Sequence, residues 1–142
     1  MKRDCRHSTR FYISTMIKYV FILFIVLIVG CSGFVYEKRI TKKYYLIAVD
    51  DIRFISISYK LESGAFIGRI EKVKQYSIVN DTFLIAKALD DSDKTCYYIL
   101  NMAIDYDIAK VENIVIGPLD SLSFVSNWGM RYNVKFISIS EL

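Results

Sequence analysis

The chain has 142 residues, of which 54% are apolar, 15% aromatic and 24% charged, a length that fits one domain. Its net charge of +4 sits in the first 30 residues, where Lys2, Arg3, Arg6, Arg10 and Lys18 stand against Asp4, while residues 31–142 carry 14 basic and 14 acidic side chains. A neutral body without a basic stripe excludes nucleic acid as the expected partner. After the basic segment, Tyr19–Gly30 reads YVFILFIVLIVG, 12 residues without a charge. As a helix this run spans about 18 Å, short of a hydrocarbon core of about 30 Å. Extended through Tyr36, the uncharged run reaches 18 residues and about 27 Å, enough for an upright single span.

A basic stretch, a short apolar run and then small residues is the pattern of a secretory signal. Ile28-Val29-Gly30-Cys31 resembles the bacterial lipoprotein signal box, in which an aliphatic residue lies three before the cysteine and small residues lie just before it. Ile28 and Val29 are tolerated there, and Gly30 is standard. The resemblance implies diacylglycerol on the Cys31 thiol, cleavage before Cys31 and an acyl chain on the new amine, with no other cofactor. One acyl chain binds a membrane marginally, whereas two or more anchor it stably. The competing reading is an uncleaved signal anchor with its N-terminus in the cytoplasm, as five Lys/Arg before the run dictate. Met16 offers a second possible start. Cys5 and His7 are too few for a metal site.

On the first reading, residues 1–30 are the signal peptide, 31–43 the lipidated terminus and linker, and 44–142 one β-rich extracytoplasmic domain. Tyr44–Val49 is short, aromatic and β-branched. Arg53–Leu61 alternates, with Ile55, Ile57, Tyr59 and Leu61 on one face and Ser56, Ser58 and Lys60 on the other. Glu62-Ser63-Gly64 signals a turn into Ala65–Ile70, where Gly68 marks a bulge or a close backbone approach. Lys74–Val79 and Thr82–Leu89 read as a hairpin about Asn80-Asp81. A polar loop, Asp90–Asp93, leads to Thr95–Met102, and Asn113–Ile116 ends at Gly117-Pro118. Asp120 or Ser121 then caps a short helix to about Gly129, with Leu122, Val125 and Trp128 or Gly129 at helical spacing. Val134–Ile139 closes the chain. Strands every ~8–12 residues predict a mainly antiparallel β fold of six to eight strands with one short helix near 120–129.

The order of these segments is similar to a family of small bacterial lipoproteins of uncharacterised function. The similarity covers roughly 44–124 and rests on Phe83-Leu84-Ile85-Ala86-Lys87, Tyr97-Tyr98-Ile99, and the Gly117-Pro118-Leu119 turn followed by Phe124. It implies a compact β domain with a helix after the turn, and it supplies no activity. By family rules, Ser32 after the cysteine points to the outer membrane in a two-membrane bacterium.

Chemistry has few places to reside. The single histidine, His7, precedes the cleavage point, so the mature chain lacks a Ser-His-Asp triad, a Cys-His pair and the common zinc sites. Cys96 reads as a small buried hydrophobe. The carboxylates are the weak candidates: Asp50 with Asp51, and Asp90, Asp91 and Asp93. Two carboxylates across a cleft are the requirement for glycoside hydrolysis, and several oxygens are the requirement for calcium. Solvated turns explain both clusters more simply. The sequence therefore leads to a non-catalytic, lipid-anchored envelope protein that binds another protein or a cell-wall component. The alternatives are a carboxylate-dependent hydrolase or calcium-dependent binder, and a single-span membrane protein.

Overall fold

The computed structural model describes residues 34–141. The signal segment, the box Ile28–Cys31, the Met16 start and the Cys5–His7 pair lie outside the described residues. Among the described residues no helix is long and apolar enough to cross a membrane.

The domain is mainly β, with nine strands in two antiparallel sheets. Strands β1 (Tyr36–Thr41), β2 (Tyr44–Ala48), β3 (Ser56–Lys60) and β4 (Phe66–Ile70) form the first sheet in that order. Strands β5 (Val73–Val79), β6 (Phe83–Leu89), β7 (Thr95–Asn101), β8 (Val115–Leu119) and β9 (Ile137–Ser138) form the second, ordered β8-β7-β6-β5-β9. Eight of the nine overlap segments expected as strands, but Asn113 and Ile114 belong to a helical turn and only Ile137–Ser138 of the expected Val134–Ile139 is strand. The ninth, β1, lies where a linker is expected. Its charged sequence YEKRIT hides a period-2 pattern that turns Tyr36 and Ile40 onto the core while Glu37 and Arg39 face out.

The main core lies between the sheets. Tyr44, Leu46, Ala48, Ile57, Tyr59 and Ile70 from one meet Val73, Tyr76, Leu84, Ala86, Ala88 and Leu100 from the other. The second sheet is covered on its far face too, by Phe124, Trp128, Tyr132 and Phe136 against Ile85 and Ile99. Two covered faces explain why β6, FLIAKAL, is nearly continuous hydrocarbon. Its hairpin with β5 turns at Asn80 and Asp81, both left-handed (φ 51° and 52°), which matches the strand twist.

Two features depart from the expected pattern. Gly117-Pro118 does not end a strand; it lies inside β8, where the register to β7 slips between Tyr97 and Ile99. Proline lacks a ladder donor, so an edge strand with a bulge is where it fits. The helix α2 (121–132), preceded by a single turn α1 (Val111–Ile114), runs through Gly129 and ends at Asn133 in the left-handed region. Its middle, Val125–Gly129, is a π turn, and the buried stripe is Phe124, Trp128 and Tyr132 rather than Leu122, Val125 and Trp128. Phe124 is buried and Trp128 and Tyr132 half-buried, each four residues from the last and so on one face. Leu122 points to solvent at 85% exposure.

The sheet edges are each interrupted. Edge β1 carries Glu37, Lys38 and Arg39, β4 and β8 are bulged, and β9 is two residues long.

Candidate functional site

The carboxylates singled out by sequence are occupied with local structure. Asp51 caps a 3₁₀ turn at Ile52–Phe54, accepting from the Arg53 backbone N–H at 2.8 Å and from its guanidinium at 2.6 and 2.8 Å. The Arg53 side chain, then its backbone N–H, holds the Asp51 carboxyl below the usual range. Asp50 beside it is exposed. Asp90 closes the β6–β7 loop by accepting from the N–H groups of Ser92 and Lys94 at 2.8 and 2.9 Å. Asp93 reaches Lys72 at 3.4 Å, and Asp91 is exposed. Asp90 and Asp91 line a recess of about 450 Å³ with Glu71 and Glu112. Among the described residues no three His, Cys, Asp or Glu side chains gather as a metal site.

The buried charge cluster found among the described residues escaped the sequence reading. The register between β3 and β4 slips at Ile57/Ser58, leaving Arg69 as the extra residue after Gly68. Its guanidinium turns inward and meets Asp105 in a two-pronged pair, Nη2 to Oδ1 at 2.7 Å and Nε to Oδ2 at 3.1 Å. The Tyr44 hydroxyl donates to Asp105 Oδ2 at 2.7 Å. Arg69 also donates to the carbonyls of Tyr106 and Ala109, and it lies over the Tyr59 ring. Burial, and then the hydrogen bond to Asp105, push the Tyr44 phenol far above its ordinary value. Every strong donor and acceptor here is satisfied, so the cluster pins loop 102–110 to the first sheet and holds no free reactive group. Only Gly68, read as a possible bulge, signalled it.

Cys96 is buried, and its thiol donates to the Ala88 carbonyl at 3.6 Å. Burial pushes this thiol up and pushes the neighbouring Tyr98 phenol up to about 12, which leaves little thiolate for nucleophilic chemistry.

The larger recess, about 680 Å³, opens between the 3₁₀ turn, the start of β5 and Ser138–Ser140. It is lined by the polar side chains of Gln75, Lys87, Thr95, Ser138 and Ser140 together with Ile52, Ile55 and Val73. Lys74 on the rim donates to the Arg53 carbonyl at 3.3 Å. Tyr36 also lines it, and its buried hydroxyl has no hydrogen-bond partner among the described residues. Hydroxyls, an amide and ammonium groups beside apolar side chains suit binding of a polar or anionic group.

Among the described residues the fold is an antiparallel two-sheet β domain with an acidic recess beside the β6–β7 loop and a larger, mixed polar and apolar one beside the 3₁₀ turn. No protein-family model matches the chain, and no curated protein and no solved structure matches it.

Proposed function

We propose that this chain is a lipid-anchored, non-catalytic protein of a bacterial envelope, held at the membrane through acylated Cys31 and binding a partner protein or a cell-wall component. The observation that carries the reading is the order along the chain. The box Ile28-Val29-Gly30-Cys31 ends five residues before Tyr36, where β1 begins, so cleavage before Cys31 leaves both sheets and both cores whole. The neutral charge of residues 31–142 and the solvated recess between the 3₁₀ turn and Ser138–Ser140 support a binding role. The candidate carboxylates, engaged in turns or exposed, lend no support to a hydrolase or a calcium site.

Intact-mass spectrometry of the protein from bacterial membranes tests it. The expected product begins at Cys31 and carries the added mass of diacylglycerol and an acyl chain. An unprocessed chain refutes the lipoprotein and leaves the single-span reading. Cys31→Ala is expected to abolish processing and acylation.

A further inference from the structure

Large apolar side chains are exposed in several places, and four of them share the end of the domain that the chain enters. Val35, Val49, Ile52 and Phe54 are 57–59% exposed. They lie at one end of the first sheet, because Tyr36 pairs with Ala48 and places Val35 beside Val49, while Ile52 and Phe54 belong to the turn that follows β2. The charges among them balance. Asp51 is engaged by Arg53, whose guanidinium lies 6.0 Å from the Phe54 ring, and of the remaining pair Asp50 is exposed while Lys74 donates to the Arg53 carbonyl, so the four sum to zero.

This end is also where the chain enters the domain. Only Ser32 and Gly33 separate Cys31 from Phe34, and at about 3.3–3.6 Å per residue the covalent path from Cys31 to Tyr36 is at most about 18 Å. Resting on the proposed anchor, we infer that Val35, Val49, Ile52 and Phe54 form a seat that docks the domain onto the bilayer holding the lipid. The tether keeps this end within reach of the interfacial zone, where apolar and aromatic side chains partition. The balanced charge makes the seat a neutral one. It draws on buried apolar area rather than on anionic headgroups.

Full-length protein purified from membranes and reconstituted into phosphatidylcholine vesicles tests this, with tryptophan as the probe. Phe54→Trp and Leu122→Trp are compared in a Trp128→Phe background, using lipids brominated on their acyl chains. Position 54 is expected to be quenched and blue-shifted and position 122 to be neither, with no change when phosphatidylglycerol is added. Ile52→Asp is expected to reduce quenching at 54 severalfold while intact mass still shows acylation. If the chain is acylated and both positions are quenched alike, or neither is, the seat is refuted and the anchor stands. Quenching that requires phosphatidylglycerol refutes the neutral seat. A blue shift that grows with protein concentration without quenching identifies a second copy as the occupant and refutes the bilayer. An unprocessed chain removes the tether, and the inference falls with the reading that carries it.

Discussion

Replacing Asp105 with alanine is expected to destabilise the domain strongly. The Arg69 and Asp105 side chains are 2% and 0% exposed. Alanine removes both prongs of the pair and the acceptor of the Tyr44 hydroxyl, while the carbonyls of Tyr106 and Ala109 remain with the guanidinium. An uncompensated buried charge costs about 3–5 kcal/mol, and a stranded hydroxyl about 1 kcal/mol or more, with overlap between them. Against a total stability of about 5–15 kcal/mol, that brings the domain close to its unfolding threshold. Urea titration of the full chain in mild detergent, followed by Trp128 fluorescence, measures it. Trp128 lies on the far side of the second sheet, so it reports unfolding of the domain and not a local change at Asp105. The double variant Arg69→Met with Asp105→Leu replaces the pair by hydrocarbon and is expected to recover much of the loss, as buried pairs often do when both members go. A loss below about 1 kcal/mol for Asp105→Ala, or a double variant worse than the sum of the singles, refutes the assigned role.

Gly117→Ala is expected to cost about 2–4 kcal/mol by the same titration, since φ is +137° and a Cβ meets the Tyr97 carbonyl oxygen and Tyr98 Cδ1 at 2.7 Å; near-neutral behaviour contradicts it. Cys96 is expected to resist iodoacetamide in the folded protein and to react in urea, and rapid native labelling defeats the buried-thiol assignment. The Asp120 carboxyl, held below the usual range by the Ser123 backbone N–H at 2.7 Å, is expected to titrate by NMR beneath its unfolded value of about 3.9. Its lowered folded value means that its contribution to α2 is present above the unfolded pKa and is lost as pH falls through the folded one. A midpoint at or above the ordinary value disproves the cap.

The strands that face a core on one or both sides were legible because burial writes a period of two, or an unbroken apolar run, into the sequence. Strand β1 was not, since an edge strand keeps its outward positions and its rim charged. The stripe of α2 was read at ordinary helical spacing, but the face that packs runs through Phe124, Trp128 and Tyr132. Arg69 and Asp105 looked like two ordinary surface charges 36 residues apart. Only a register slip at β4 turns one of them inward, and register belongs to the paired strands rather than to either segment alone. The carboxylate clusters lie in turns, and which of them cap backbone groups depends on loop conformation that the sequence does not spell out.

The interrupted edges gain meaning once the chain is pictured among its own copies. Proteins tethered to one leaflet are confined to a plane, share an orientation and collide repeatedly with the same flanks presented. Open strands under those conditions would zip into ribbons across the membrane. On the anchor proposed above, a charged flank at β1, kinked flanks at β4 and β8 and a stub at β9 would each deny such a ribbon a first rung.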